Sequence, residues 1–240
     1  MRVVGVIPAR FNSARFTGKV LADLGGKPVV RHVWENAKKS KLLEDLIIAT
    51  DSDQVIDAAK AFGAKAVYTS PDQPSGTDRL LEVINPMEVE VVVNIQGDEP
   101  MVRPEMIDEL AGAVLEGEGV YMATLAKRIE DAEEIGNPNV VKVTSDKNGF
   151  ALYFSRSIIP YRRSDSLPRY FKHLGLYAYT KDFLFEFANF PKSHLETAEG
   201  LEQLRVLENG YKIKVVETKF DTIGIDTPED LQKAKSAMGV

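Results

Sequence analysis

The chain opens on a short, almost unbroken apolar run, Val3–Ile7, rich in β-branched residues. That is the pattern of a parallel strand covered on both faces. Val29–Lys39 reads as a helix, and Leu46–Thr50 as a second strand ending at Asp51-Ser52-Asp53. Asp53 is expected to cap a helix through Phe62, with Gly63 suited to its end. Ala66–Thr69 gives a third short strand, and Gly76 and Thr77 open a helix to about Ile84. Val89–Ile95 is the strongest strand pattern in the chain; it stops at Gln96-Gly97-Asp98-Glu99-Pro100, and Pro104 starts a helix to about Leu115. Strands and helices alternating at this spacing predict βαβ units and a mostly parallel sheet.

The rhythm changes after Val120. Val140–Ser145 and Phe150–Ser155 flank Asp146-Lys147-Asn148-Gly149, a hairpin signal. Leu174–Tyr179 reads as a strand, Lys181–Phe187 as a short helix, Glu199–Glu208 as a helix closed by Asn209-Gly210, and Lys212–Thr218 as a strand. Thr227 is the expected N-cap of the last helix, with Pro228 in its first turn. Without repeats, low-complexity tracts or a Gly/Ser/Pro-rich linker, the expectation is one α/β domain with an inserted, partly antiparallel lobe. Its nucleotide-binding part would take residues 1–120 and 212–240, and the lobe 121–211.

At 240 residues such a domain can bury roughly 70% of its unfolded surface. Thirty basic against 36 acidic residues give a net charge of -6, so the chain is not built to coat nucleic acid, and any phosphate site must be a local cluster of cations. The absence of cysteine removes disulfides, thiolate nucleophiles and zinc–thiolate centres. His32, His173 and His194 are too scattered to form a helical metal pair. With no signal-peptide pattern and no apolar run near the roughly 20 residues of a membrane span, the expectation is a soluble, cytoplasmic protein with no membrane partner.

The candidate chemistry lies at strand ends. Between Ala9 and Lys19 the segment after the first strand carries three cations, Arg10, Arg15 and Lys19. Ligands of open α/β sheets bind outside the carboxyl ends of the strands, and small loop residues let backbone N–H groups approach phosphate oxygens. The loop is neither a Walker A sequence nor a dinucleotide glycine pattern; its plain alternative is a solvated basic loop. Asp98 ends the strongest strand beside a glycine, a place from which a carboxylate can hold Mg²⁺ against phosphates, or simply form a turn before Pro100. Asp226, ahead of the last helix, is either a second such carboxylate or an acid favoured by the helix dipole. Three cations with two strand-end carboxylates describe nucleotidyl transfer.

Several segments in this order carry a resemblance. They are Ile7-Pro8-Ala9-Arg10 with Gly18-Lys19, Ala49-Thr50-Asp51, Ser75-Gly76-Thr77-Asp78-Arg79 and Asn94-Ile95-Gln96-Gly97-Asp98-Glu99-Pro100. Ala151–Arg156, His173-Leu174-Gly175, Leu201–Arg205 and Gly224-Ile225-Asp226-Thr227-Pro228 continue the series. Over nearly its whole length the chain resembles the 3-deoxy-manno-octulosonate (Kdo) cytidylyltransferase family. The resemblance implies a Rossmann-like fold of the nucleotide-diphospho-sugar transferase type, a Mg²⁺-dependent transfer of CMP from CTP to an acidic eight-carbon sugar, a homodimer paired through the inserted lobe, and a place in lipopolysaccharide biosynthesis. It places Arg10 and Lys19 on the CTP phosphates with Arg15 as helper, Ser75, Gly76 and backbone around Ala9 at the cytosine, and Asp98 and Asp226 at the metal. Gln96, Arg156, His173, Tyr177, Glu202 and Gln203 match positions that line the sugar pocket. Arg156 is expected as a positive contact and His173 as a hydrogen-bond partner of the sugar.

Thr17 departs from the family, which commonly has proline before Gly18-Lys19, so a somewhat less rigid loop is expected. The alternatives are another acidic sugar, such as a sialic acid or an amino-substituted Kdo, a non-catalytic CTP-binding module, or a transferase using a finished nucleotide-sugar. The last usually shows an Asp-x-Asp metal motif, and Asp51-Ser52-Asp53 reads more simply as a helix cap.

Overall fold

The opening apolar run becomes β1 (Val3–Pro8), whose Val3, Val4, Val6 and Ile7 are all buried. Val3 and Ile7 pack into one core layer and Val4 and Val6 into the other, which is why the run is continuous rather than alternating. The computed structural model describes residues 2–13, 15–73, 76–164 and 168–240. After β1 come β2 (Asp23–Leu24), β3 (Lys27–Pro28), α1 (Val29–Ala37), β4 (Asp45–Thr50), α2 (Asp53–Ala61), β5 (Lys65–Tyr68), α3 (Gly76–Ile84), β6 (Val91–Asn94) and α4 (Pro104–Glu116). The second half supplies β7 (Met122–Arg128), α5 (Ala132–Gly136), β8 (Lys142–Ser145), β9 (Ala151–Ser155), β10 (Phe171–Thr180), α6 (Lys181–Ala188), α7 (His194–Glu199), α8 (Leu204–Glu208), β11 (Lys214–Glu217) and α9 (Pro228–Met238).

The central sheet runs β11-β7-β10-β6-β1-β4-β5. β1 pairs parallel with both β4 and β6, and β4 pairs parallel with β5. β10 is antiparallel to β6 and β7, and also pairs with β8, which forms the expected hairpin with β9. The segment 121–211 therefore contributes β7 and β10 to the central sheet itself as well as the antiparallel hairpin. Chain order reverses between β1 and β6, so the crevice at their carboxyl ends is the switch point where α/β sheets take ligands.

One core layer packs Val30, Val33 and Trp34 of α1 and Met106, Ile107 and Leu110 of α4 on the sheet; the other packs Leu80, Val83 and Ile84 of α3 with Phe183, Leu184 and Phe187 of α6. A small third cluster, Leu24, Val29, Ile225, Leu231 and Ala234, fixes α9 and the residue before Asp226 against the β2–β3 ribbon.

Three local expectations need correction. Ser52, in extended conformation, sits at the N-cap of α2, and Asp53 is already in its first turn. The helix expected over Glu199–Glu208 is two helices: Gly200 adopts φ 64, a left-handed conformation that closes α7, and α8 begins only at Leu204. β7 carried no strand signal, because Met122-Ala123-Thr124-Leu125-Ala126-Lys127-Arg128 is poor in β-branched residues; pairing with β10 and β11 overrides that weak preference. The expected cap of α9 is present, with Thr227 and Asp230 bonding reciprocally across its first turn.

Candidate active site

The segment after β1 folds back on itself. The Gly18 N–H reaches the Phe11 carbonyl at 2.8 Å, and Gly18 itself turns at φ 73. Thr17 replaces the stiffness of a proline with a tie inside the loop, its hydroxyl donating to the Ser13 carbonyl at 3.3 Å. This doubling back brings Arg10 and Lys19 into one cleft of about 330 Å³, completed by Gly76, Gln96 and Asp98. Ala9 lies buried beneath it: its N–H is committed to Ala49 O at 2.8 Å, and its carbonyl accepts from the Thr50 hydroxyl at 2.6 Å. Ala9 therefore supports the cleft and does not line it. Ser75, the other residue expected at the cytosine, lies outside the described residues.

The two acids meet on one cation. The Lys19 ammonium donates to Asp98 Oδ2 and, at 2.9 Å, to Asp226 Oδ1, while Arg15 Nη2 holds Asp226 Oδ2 at 2.8 Å. A backbone bond from Ile225 N–H to the Asp98 carbonyl at 2.9 Å sets these distant segments side by side. Burial pulls the Lys19 pKa down, but the two carboxylates outweigh it and hold the ammonium above its ordinary value. Two carboxylates converging on a single cation beside an open cleft form the donor set magnesium prefers when phosphate and water supply the other ligands. Among the described residues no group of three or more His, Cys, Asp or Glu gathers into a closed metal cage. The two acids would suit a magnesium ion whose remaining ligands come from phosphate and water.

Asp226 and Arg15 also open onto a larger cavity of about 780 Å³, where Arg156, Asn139 and Lys233 join them. Arg156 is held rigidly: Nε donates to Glu199 O at 2.7 Å and Nη1 to Pro138 O at 3.0 Å. Buried Lys142 donates to the carbonyls of Asn137, Val140 and Arg156 at 3.0, 2.7 and 2.7 Å, bracing the same wall. Sequence reading missed Lys142, because a lysine in a strand pattern signals an exposed position and only the fold surrounds it with carbonyls.

His173 faces a third cavity of about 360 Å³ together with Glu99, Lys172 and Asp221. Thr124 Oγ1 lies 2.9 Å from His173 Nε2 and 2.8 Å from Leu176 O, so the ring shares one hydrogen bond with a threonine hydroxyl. The residue keeps some exposed surface, yet its ring is enclosed by protein, and burial pushes its pKa down to about 3. Below the unfolded value of 6.5 the unfolded chain takes up a proton that the native ring refuses, so stability falls as pH drops from 6.5 toward 3. His173→Gln should therefore lose less stability than the parent protein between pH 7 and pH 4. Urea titrations at both pH values test this, and equal losses would refute the enclosed, neutral ring.

Glu99 was also missed in the sequence. Burial first, and then the charge of Asp98, raise its pKa to about 8, and its Oε2 is buried without a hydrogen-bond partner. A glutamate next to a turn proline carries no sequence signal for such an environment.

The remaining expected sugar residues lie around the paired strands β6 and β10 and between α7 and α8. The Gln96 side chain donates to Gly175 O at 3.4 Å, and the Tyr177 ring lies 5.4 Å from the His173 ring. Burial, then Glu202 and Glu99, keep the Tyr177 phenol protonated far above its usual range. Glu202 accepts from the Thr77 hydroxyl at 3.1 Å, and burial raises its pKa against that bond. Gln203 is 4% exposed, with Nε2 lacking a partner. The structure thus gathers Arg10, Lys19, Gly76, Gln96 and Asp98 in one cleft, with Asp226 joined to them through Lys19. Arg15, Arg156 and His173 line adjoining cavities, and Glu202 opens onto a further one beside α7 and α8.

Residues 4–213 match the family described as Cytidylyltransferase. The chain is similar to a 3-deoxy-manno-octulosonate cytidylyltransferase of Geobacter sulfurreducens, 48% identical over 97% of this chain and 98% of that one. Its counterpart in Solibacter usitatus is 51% identical over 97% of this chain and 92% of its own. Among solved structures, a CMP:2-keto-3-deoxy-manno-octonic acid synthetase in complex with CTP superposes with a TM-score of 0.95 at 42% identity, covering 100% of this chain and 99% of that one.

Proposed function

The chain belongs to the 3-deoxy-manno-octulosonate cytidylyltransferase family, and we infer that it transfers CMP from CTP to 3-deoxy-manno-octulosonate with release of pyrophosphate. The observation that carries this reading in the molecule is the meeting of Asp98, Asp226 and Lys19 at the mouth of the Arg10 cleft. Relatives matched over more than nine-tenths of their length favour the octulosonate over a sialic acid, and the presence of both carboxylates disfavours a module that only binds CTP.

The proposed reaction is in-line: an acceptor hydroxyl oxygen attacks the α-phosphorus, its proton passing to solvent, and the new P–O bond forms as the bond to pyrophosphate breaks. Magnesium, when bound, would polarise the α-phosphate and offset triphosphate charge. Asp98 and Asp226 would hold it, since both already point at one cationic position. Lys19 would transfer its charge from these acids to phosphate oxygens, and Arg10 would neutralise developing charge on the leaving pyrophosphate. Because this Lys19 charge is held above the ordinary lysine range, it is present at any physiological pH. No side chain needs to form a covalent intermediate.

For the sugar, Arg156 would supply a preset cation for the carboxylate, and His173, a neutral ring, would share a hydrogen bond with a hydroxyl. Gln96 reaches the sugar from the nucleotide cleft in this reading, while Tyr177, Glu202 and Gln203, which lie off the Arg156 and His173 cavities, are proposed as polar groups around it. Arg15, paired with Asp226, stands between the nucleotide cleft and the sugar cavity and assists with the phosphates. The direct experiment is pyrophosphate release with CTP, Mg²⁺ and Kdo, beside ATP, GTP, UTP and sialic acid. Release confined to CTP with Kdo is expected; release with sialic acid alone would overturn the acceptor.

Among the described residues no helix is long and apolar enough to cross a membrane. We propose, from the likeness to the octulosonate cytidylyltransferases, a cytoplasmic enzyme feeding lipopolysaccharide assembly. A homodimer paired through the lobe is proposed as well, because Leu152, Ile158 and Tyr161 expose 63%, 49% and 84% of their surface close together in sequence. Light scattering that returned the 26.6 kDa monomer at micromolar concentration would remove that part.

A further inference from the structure

The largest fully buried side chain in the described structure is charged. Arg79 of α3 has a fully enclosed side chain, and its ion-pair partner Asp51 exposes 9%. Arg79 Nη2 donates to Asp51 Oδ2 at 3.1 Å, Nη1 donates to the Thr69 hydroxyl, and Nε has no partner. The other Asp51 oxygen, Oδ1, accepts the Phe11 N–H at 3.2 Å. One carboxylate therefore ties the loop after β1 to α3.

The residues around that carboxylate extend the tie. Ala9 N–H bonds Ala49 O, Thr50 Oγ1 bonds Ala9 O, and Thr69 Oγ1 bonds Thr50 O at 3.1 Å. Arg10 lies between two residues, Ala9 and Phe11, that are both pinned to the end of β4. Its own Nη2 reaches Gln73 O at 2.8 Å on the approach to α3. Gly76, the first residue of α3, lines the same cleft as Arg10. The Asp51–Arg79 pair thus joins two walls of the nucleotide cleft from below, out of reach of its contents.

Stability alone does not account for this arrangement. A buried ion pair is weak evidence for stabilisation, since well-packed apolar residues of similar volume fold as well or better. Burial pulls the Arg79 pKa down, Asp51 opposes that, and the neighbouring charge of Arg10 adds to the lowering. Asp51, with Glu82, offsets the second guanidinium placed near Arg10. What a planar fork on a carboxylate adds over an apolar pair is fixed spacing and direction.

We propose that Asp51 and Arg79 are positioning residues that set the spacing between Arg10 and the start of α3, and through it the fit of the CTP triphosphate. The proposal rests on the nucleotide assignment above and deepens it. Two variants test it. Arg79→Lys keeps the charge and loses the fork. The double substitution Asp51→Leu with Arg79→Met replaces the pair by apolar volume, so that a folded protein is available even if the single variant does not fold.

CTP affinity is read by titration calorimetry without acceptor, and KM for CTP and for Kdo by pyrophosphate release, alongside thermal melts. For folded variants the expected result is a rise of about tenfold or more in Kd and KM for CTP, with KM for Kdo at saturating CTP within about threefold of the parent. A pair that served folding alone would lower the melting temperature and leave CTP affinity per folded molecule unchanged; that outcome overturns the proposal. Parent protein that bound CTP but released no pyrophosphate with Kdo would overturn the acceptor assignment, while the calorimetry would still decide this one.

Discussion

Asp98→Asn should lower kcat by on the order of 10³-fold or more while the protein stays folded. The magnitude follows from the several kcal/mol that a metal held against a phosphoryl group contributes, at about 1.4 kcal/mol per tenfold in rate. Asparagine keeps the shape and an acceptor oxygen but not the anion. Stability should change by only about 1 kcal/mol, because the Asp98 side chain is 24% exposed and Lys19 keeps its second partner, Asp226. The Asp98 backbone bond to Ile225, which holds the two acid-bearing segments together, is untouched. Pyrophosphate release at saturating CTP and Kdo, with circular dichroism and a thermal melt, checks both halves. A folded variant within tenfold of the parent kcat would remove Asp98 from the proposed metal site.

Gly97→Ala should cost both stability and activity. A Cβ at this position would lie 2.7 Å from Pro8 O and 3.4 Å from Ala9 Cα. Both are backbone atoms at the end of β1, so no flexible side chain can swing aside. Relief requires the ends of β1 and β6 to separate, and overpacking of this kind costs about 1–3 kcal/mol. For a chain of this length that corresponds to a fall in melting temperature of roughly 2–4 °C per kcal/mol. The same displacement moves Arg10 away from Asp98, and misplacement near 1 Å costs about 100-fold in rate. A melt and a kcat determination test the pair of effects. Unchanged values for both would mean that the crevice is wider than the structure has it.

The alternating apolar runs specified the parallel half of the sheet, since a strand covered on both faces has few other sequences available to it. Pro104, Thr227 and Gly63 punctuated helices through local geometry alone, and local geometry is what a sequence carries most directly. Arg10, Lys19 and Asp98 were legible for a related reason: charged residues at the ends of apolar runs lie at the sheet's carboxyl edge whatever the rest of the chain does. Family resemblance added the substrates and a set of pocket positions that no spacing argument reaches.

Only tertiary structure decided the rest, because the deciding energies are contacts between distant segments. β7 became a strand through pairing with β10 and β11 despite a composition that does not favour it. Asp226 came to share Lys19 with Asp98 through one backbone bond from Ile225. Glu99 and His173 were moved from their ordinary ionisation by burial, which depends on neighbours supplied by other strands. Nothing in the sequence marked Arg79 or Lys142 as buried; the fold enclosed both and gave Arg79 a carboxylate and Lys142 three carbonyls. The sequence by itself thus determined which groups stand at the edge of the sheet, and the fold determined which of them meet and in what state of charge, since burial and proximity are properties of the packed chain.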